Sequence, residues 1–456
     1  MAKNQVAPRS GFVSRPQAVS RSGFVSRLAY FGQTLGLGGA ETFLSDLLGE
    51  LGRRGIGMTA YTNHQLFGRL LADNQVPTRH IPWVLDVVGN WRGLLKAAVA
   101  APFAFGWYWQ ALRREKEAEV VLVSGFAEKL ILSWWCRLQG KPVVWIEFAP
   151  LETLFSKFWG LPGWWYRWSA RLPELVIVPT AYTLGPLIEQ TGIPADKIRV
   201  VPCGRNLTKE ELRFRQRARQ TWGRGGAAKK WSAEGRVAET AKTKTDTLVC
   251  VSRLERGKGQ DLLIGAMPIV LKHYPDTRLR IVGEGDFGAE LERLVVELGL
   301  TDQVTLTGRV PDALAELKAA TVCVFPSVWA LEGFGMVTIE AMALGKPIVA
   351  FNTGPTPYLV EHRRTALLAQ PASVDDLAVQ VLRLLGDASL RDELGRRARR
   401  RFQQHYRIGP VADQYLEVLA EARRLFEGRQ RAEVWTKKRA KVQAEVWIKK
   451  RAETKN

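Results

Sequence analysis

Two glutamates, Glu332 and Glu340, stand with seven residues between them in a stretch that reads FPSVWALEGFGMVTIEAMALGKPIVA over residues 325–350. A carboxylate accepts two hydrogen bonds at once, so it suits adjacent hydroxyls on a sugar or ribose ring. The spacing alone decides nothing, since a solvated loop glutamate and a helix-surface glutamate can stand this far apart in any protein. The setting says more. The apolar run Val322–Phe325 predicts a buried strand that ends in Pro326-Ser327. After Gly333-Phe334-Gly335 a small-residue helix runs through Ala341 and Ala343, and another buried strand starts at Pro347. Glu332 then falls in the loop at a strand's carboxyl end, and Glu340 in the early turns of the next helix. Gly333 and Gly335 let backbone amides approach a ligand with no Cβ in the way. The free N–H groups at the helix start favour a phosphate.

A second pair could complete that chemistry. Val251-Ser252-Arg253-Leu254 and then Arg256-Gly257-Lys258-Gly259 follow the strand-like run Thr247–Val251. Arg253 presents a planar fork and Lys258 a point charge, so the two can reach one diphosphate from two sides. The plainer reading is two surface cations. Gly36-Leu37-Gly38-Gly39-Ala40-Glu41 follows the run Leu28–Phe31 and opens a helix over Ala40–Leu51. Such a turn lets a phosphate approach the backbone, but it departs from GxGxxG, so a dinucleotide fingerprint is not supported. Ile281-Val282-Gly283-Glu284-Gly285-Asp286 reads as a strand end whose glycines permit close packing.

Buried parallel strands must position these loops. The first half offers Leu28–Phe31, Val120–Val123, Val143–Ile146, Leu175–Val178 and Ile198–Val201. The second offers Thr247–Val251, Leu279–Val282, Val304–Leu306, Val322–Phe325 and Ile348–Phe351. Short continuous Val/Ile/Leu runs are those of parallel strands covered on both faces. Alternation of strand and helix, twice over, predicts an α/β chain of two Rossmann-like doubly wound domains facing across a cleft. The divisions expected are a basic N-terminal tail over 1–27, a first domain over 28–204 and a polar, basic linker over 205–245. A second domain over 246–408, a helix over 409–427 and a basic repeat tail over 428–456 complete the chain.

The formal net charge of +21 invites a nucleic-acid reading. Its distribution argues otherwise: the two tails and the linker carry +5, +7 and +8, which leaves +1 for everything else. The tails contain short repeats, RSGFVSR at 9–15 and 21–27, AEVWTKKRA at 432–440 and AEVWIKKRA at 444–452. Two copies are too few for a solenoid. The C-terminal pair suits a short basic helix carrying Trp435 and Trp447. Cys136, Cys203, Cys250 and Cys323 form no CxxC motif and read as buried thiols in a reducing cytoplasm. No apolar h-region is present in residues 1–27. The run Leu94–Leu112 holds Lys96 and Pro102 and reads as a buried or interfacial helix rather than a span.

Taken in order, GGxE, SRLxxxKG, VGEG and S-x4-EGFG-x4-EAMAxGxPIVA resemble the GT-B glycosyltransferases of family 4, also called glycosyl transferases group 1. The resemblance covers roughly residues 28–427 and is strongest over 247–370. It implies a metal-independent, retaining transfer from a nucleoside-diphosphate sugar, with no cofactor and the donor held mainly by the second domain. Carried over by position, Arg253 and Lys258 bind the diphosphate and stabilise the departing nucleotide. Glu332 holds the donor sugar near its reacting face, and Glu340 takes the ribose hydroxyls. Gly38 and Gly39 approach the diphosphate from the first domain, the backbone of Gly308 and Arg309 borders the base, and Gly333, Phe334 and Gly335 complete the donor loop. Members often carry a histidine after the fourth strand of the first domain. Here 144–150 reads VWIEFAP, and Glu147 is the candidate acceptor-side group.

The chain has 16 tryptophans, many of them in the first domain. The stretch LFSKFWGLPGWWYRWSARL over 154–172 suits a membrane interface, a sugar-stacking groove or an aromatic core. With the basic tails it favours a cytoplasmic protein held peripherally on an anionic membrane face, acting on a lipid-linked or other envelope glycan. The competing classes are a GT-B-fold sugar-nucleotide epimerase or inactive binding module, and a nucleic-acid binder working through its tails. No nucleic-acid module is found, so no specific nucleic acid is expected.

Overall fold

A computed structural model describes residues 25–34, 36, 38–83, 85, 91–148, 151, 160–207, 246–329 and 332–453. Seven strands form the first sheet: β1 (Arg27–Phe31), β2 (Gly57–Thr62), β3 (Thr78–His80), β4 (Val120–Val123), β5 (Val143–Ile146), β6 (Leu175–Val178) and β7 (Ile198–Val200). Six form the second: β8 (Thr247–Val251), β9 (Arg278–Val282), β10 (Val304–Gly308), β11 (Val322–Phe325), β12 (Ile348–Phe351) and β13 (Leu367–Ala369). The spatial orders are β3-β2-β1-β4-β5-β6-β7 and β10-β9-β8-β11-β12-β13, and every pairing is parallel. β4, β5, β6 and β12 are buried at every residue, as strands covered on both faces must be.

Each order reverses direction once, between β1 and β4 and between β8 and β11. A crevice opens at such a switch point, outside the carboxyl ends of the strands. The loops after β1, β8 and β11 therefore meet at the crevices by topology. These are the loops that carry Gly38-Gly39, Arg253 with Lys258, and Glu332.

Among the described residues three apolar clusters form the core. One fills the far face of the first sheet, and another the corresponding face of the second. The third runs through both domains, joining Phe43 and Leu47 of the helix Gly39–Arg53 to Ile339 of the helix Met336–Ala343 and to Tyr415. Tyr415 belongs to a helix spanning Ile408–Glu453. That helix lies on the first domain: Arg54 pairs with its Asp413, Arg199 with Glu421, Glu119 with Arg423 at 2.6 Å and Glu174 with Arg429 at 2.6 Å.

Three boundaries differ from those expected. Val25 is buried and β1 opens at Arg27, so the first fold element begins inside the segment assigned to the N-terminal tail. The helix expected to end near residue 427 continues unbroken to Glu453 and takes in most of the repeat tail, because nothing in 428–453 breaks a helix: its one glycine is Gly428 and it holds no proline. Arg205, Asn206 and Leu207, assigned to the linker, are packed into the structure. Leu207 lies against the shared apolar cluster, and residues 208–245 lie outside the described residues.

The run around Leu94–Leu112 is part of a helix, Trp91–Arg114, that buries Ala97, Ala104, Tyr108, Ala111 and Leu112. Among the described residues no helix is long and apolar enough to cross a membrane. All four cysteines are buried and free. Burial pushes the Cys250 and Cys323 thiols up to about 12, so neither is a thiolate near neutral pH.

Candidate active site in the interdomain cleft

The loops after β1, β8 and β11 enclose a cleft of about 730 Å³. Gly38, Gly39 and Glu41 line it from the first domain, and Arg253, Lys258, Trp329, Glu332, Gly333, Phe334 and Gly335 from the second.

Lys258 is the centre of the polar wall. Its Nζ lies 3.0 Å from Oε2 of Glu332 and 4.6 Å from the centroid of the Trp329 ring. Its side chain is only 12% exposed, so its charge acts in a partly desolvated setting where it is weakly screened. Arg253 stands nearer solvent, 5.9 Å from the same ring and ion-paired with Glu255. The backbone between the two cations is fixed from below. Gln260 is fully buried, and its Nε2 donates to Ser252 Oγ and to the Arg253 carbonyl, both at 2.8 Å. Gly259 sits at φ +75°, and a Cβ there would fall 1.8 Å from the Pro326 carbonyl oxygen. The turn that carries Lys258 thus lies directly against the start of the loop that carries Glu332.

The first domain meets this wall closely. A Cβ on Gly39 would fall 2.6 Å from Cγ of Met336. Thr180 Oγ1 donates to the Gly333 carbonyl at 3.1 Å, tying the loop after β6 to the donor loop of the other domain. Glu41, at the third position of the first helix, accepts from Gly38 N–H at 2.8 Å and from Thr34 Oγ1 at 2.7 Å. This is the back-bonding half of a capping box, and it holds the glycine turn in shape. The helices Gly39–Arg53 and Met336–Ala343 both start at the cleft, so two sets of free N–H groups and two positive dipole ends point into it.

The remaining candidates stand elsewhere. Glu340 does not line the cleft: its Oε1 is held at 2.9 Å by Nε of Arg205, a residue to which the sequence analysis gave no role. Gly308 and Arg309 lie outside the lining, and Arg309 is exposed and paired with Glu284 at 3.3 Å. Glu147 is buried in the first domain. Its Oε2 accepts from Lys129 Nζ at 2.6 Å and from the Tyr166 hydroxyl at 2.5 Å, while its neighbour Phe148 reaches the cleft. Burial, then the charge of Glu147, raise the Tyr166 pKa well above its ordinary value, so the hydroxyl stays a donor. Trp329, Gln260, Thr180 and Arg205 are site or support residues that sequence reasoning passed over. None of these four had a local signal, whereas Glu41, the last residue of the GGxE motif, did: its place three residues into a helix.

The tryptophans divide. Trp145 is core, and Trp83, Trp107, Trp135 and Trp165 pack on that core. Trp164 and Trp168, on the helix Leu161–Ser169, are exposed and stack at 6.1 Å. Residues 152–159 of the aromatic stretch lie outside the described residues.

Two doubly wound domains meeting over a cleft at their switch points define the GT-B class. The halves of the chain match the models of two families that describe the halves of such proteins: Glycosyltransferase Family 4 over residues 37–209 and Glycosyl transferases group 1 over 233–401. The chain belongs to these GT-B family 4 glycosyltransferases. Among curated relatives, a GDP-mannose-dependent alpha-(1-6)-phosphatidylinositol monomannoside mannosyltransferase of Mycobacterium tuberculosis is 34% identical over 180 residues, 38% of this chain and 47% of that protein. A D-inositol 3-phosphate glycosyltransferase of Pseudarthrobacter chlorophenolicus is 31% identical over 234 residues, 50% of this chain and 51% of that protein. The aligned part is thus about half the length of these relatives. In structure the chain is similar to the Anabaena protein HepE solved with UDP and glucose, with a TM-score of 0.66, 21% identity and coverage of 87% of this chain and 99% of that one. It is also similar to a sucrose-phosphate synthase of Thermosynechococcus elongatus, with a TM-score of 0.64, 21% identity and coverage of 88% and 100%. At such identities the structural likeness shows the fold.

Proposed function

We propose that this chain transfers a sugar from a nucleoside-diphosphate donor to a lipid-linked or other envelope glycan, with retention at the anomeric carbon and without a metal. The observation that carries this reading is the Lys258–Glu332 pair at 3.0 Å, set over Trp329 and facing the Gly38-Gly39 turn across the cleft. Lys258 and Arg253 supply positive charge where the nucleoside diphosphate departs, which is the role a metal plays in other transferases. In this reading Glu332 accepts hydrogen bonds from donor-sugar hydroxyls. The name of the Mycobacterium tuberculosis relative, with a GDP-sugar donor and a phosphatidylinositol glycan acceptor, supports both halves of the reading. The test is a panel of UDP- and GDP-sugars with lipid-extract acceptors in EDTA, with anomeric configuration read by NMR. A glycoside of the donor's own configuration is expected. A protein that binds no UDP- or GDP-sugar, or an epimerised sugar nucleotide released without acceptor, overturns it.

The acceptor half draws on an exposed apolar face. Leu95, Val99 and Phe103 recur every four residues on the helix Trp91–Arg114 and are 69%, 69% and 65% exposed. Arg92 and Lys96 on the same helix are exposed too. Phe105 of this helix stacks on Trp165 at 6.3 Å, which places the exposed Leu161, Trp164 and Trp168 on a neighbouring helix. Apolar side chains flanked by cations suit an anionic bilayer surface. Wild type is expected to float with phosphatidylglycerol vesicles at low salt. Burying a Leu, Val or Phe contributes about 1.5–3 kcal/mol, so a Leu95→Ser/Val99→Ser/Phe103→Ser variant should bind them at least tenfold more weakly (roughly 1.4 kcal/mol). Equal flotation of the two proteins contradicts this assignment.

A further inference from the structure

Among the described residues Trp329 is the one ring that lies under both cations lining the cleft. The Lys258 ammonium stands 4.6 Å from its centroid and the Arg253 guanidinium 5.9 Å. Its backbone sits where the two loops of the polar wall cross. Val328 N–H, beside it, donates to the Gly257 carbonyl at 2.9 Å, and the Trp329 carbonyl accepts from Glu332 N–H at 3.2 Å. Trp329 N–H donates to Ser327 Oγ at 3.4 Å. Gly257, at φ +87°, lies alongside: a Cβ there would stand 3.5 Å from Trp329 Cβ. The place of the indole is therefore tied both to the turn that carries Lys258 and to the turn that carries Glu332.

Two cations near one another repel, and a lysine on its four-carbon stem samples many rotamers. Left to themselves the pair would hold no fixed arrangement in the cleft. The face of an aromatic ring carries negative partial charge and attracts both, most strongly where water is excluded. Lys258 is 12% exposed and Arg253 66%, so the ring acts mainly on Lys258. Glu332 holds the same ammonium at 3.0 Å. A second carboxylate in place of the ring would cancel the positive charge, whereas a neutral ring fixes the group and leaves that charge for an anionic ligand. We propose that Trp329 is a positioning residue for the diphosphate: its ring fixes the Lys258 ammonium, and more loosely the Arg253 guanidinium, before the donor arrives. This rests on the glycosyltransferase reading and deepens it. Trp329 works through Lys258, and what it contributes is the preorganisation of a charge. Preference for a nucleoside diphosphate over the monophosphate is then set in part by an uncharged side chain.

The test is titration calorimetry of the full chain with UDP, UMP, GDP and GMP. Wild type is compared with Trp329→Leu, Trp329→Phe and Lys258→Ala, and with each Trp329 variant combined with Lys258→Ala. Wild type is expected to bind its preferred diphosphate more tightly than the matching monophosphate. Trp329→Leu keeps apolar bulk but has no ring face. It should weaken diphosphate binding about tenfold and leave the monophosphate within about twofold, so the ratio of the two falls. Trp329→Phe keeps a weaker face and should recover at least about threefold of that loss. With Lys258→Ala already present, Trp329→Leu should change the ratio by less than about twofold, because the group it positions is gone. A ring that merely fills space leaves the ratio of Trp329→Leu at its wild-type value, and that result overturns the proposal. Equal losses of diphosphate and monophosphate, or a loss that is the same with and without Lys258, mean that the ring acts on the ligand itself, and overturn it too. Should Trp329→Leu not fold, Trp329→Phe decides: a ratio reduced about two- to threefold only while Lys258 is present supports the proposal, and an unchanged ratio removes it. Wild type that binds neither UDP nor GDP defeats the glycosyltransferase reading itself. Wild type that binds UDP or GDP no better than the monophosphate defeats only the placing of the diphosphate at Lys258, and Trp329 with it.

Discussion

Lys258→Ala is expected to lower kcat by about 10²–10³-fold, the usual cost of removing one preorganised group that stabilises charge developing in a transition state. The Lys258 side chain is 12% exposed and lies against an indole, so water replaces its charge poorly. In the proposed reaction negative charge grows on the departing diphosphate, and there the ammonium would be worth more than in the ground state. Loss of Lys258 also strips Glu332 of its partner at 3.0 Å, leaving a carboxylate that repels the same diphosphate. Both effects slow the reaction. The cost to the fold is smaller, because Glu332 is 24% exposed and can be hydrated once released. Melting temperature should therefore move by only a few degrees while turnover collapses. Lys258→Arg is the informative control. It keeps the charge on a larger planar group that must displace Trp329, so it should recover only part of the rate. Single-turnover kinetics with a saturating donor measure both variants, and a kcat for Lys258→Ala within threefold of wild type contradicts the assignment.

The parts legible in sequence were those with local causes. β8, β11 and β12 were readable because each is a largely apolar run closed by Ser252, Pro326 or Asn352, and burial on both faces forces that composition. β3 was not readable. Its residues Thr78, Arg79 and His80 are all exposed at the sheet edge, so no burial shaped them. β13 has three residues, too few to show a period. β2 starts at a glycine and carries two threonines and a tyrosine, which weakens the apolar signal although most of it is buried. The cleft loops followed from the strands, because a loop after the carboxyl end of a switch-point strand must face the crevice. Glu147 shows the limit. Its place after β5 was clear, but Lys129, 18 residues earlier, turns it into one half of a buried ion pair. Arg205 shows the limit more sharply. It opens a run of basic residues and was counted with them, yet its partners, Asp46 and Glu340, lie 159 and 135 residues away. Nothing near Arg205 in the sequence distinguishes a buried ion pair from a solvated linker cation.

Gly39→Val should impair the enzyme through the geometry between the domains rather than through any donor contact. The position needs no left-handed backbone, so a side chain strains nothing locally. What opposes it is Met336 of the other domain, whose Cγ and Cβ would lie 2.6 and 3.0 Å from the new Cβ. The branches of valine extend further into the same space. Overpacking of this kind costs about 1–3 kcal/mol. Here the strain can be relieved by parting the domains, which lifts the Gly38-Gly39 turn away from Lys258 and Glu332. The cleft then loses its preorganisation, and kcat/KM is expected to fall by about 10–100-fold, the same free energy expressed as a rate. The clusters on the far faces of the two sheets are untouched and only the shared cluster is strained, so melting temperature should fall by no more than a few degrees. Met336→Ala supplies the decisive comparison. Met336 is a flexible side chain only partly buried on the shared core, and shortening it makes room for the valine without touching the polar wall. The double variant should regain at least about tenfold over Gly39→Val alone, a coupling of roughly 1.4 kcal/mol between residues on opposite domains. Additive losses in the two single variants would mean that Gly39 and Met336 do not meet in the working enzyme, and that the closed cleft is not the state that binds donor.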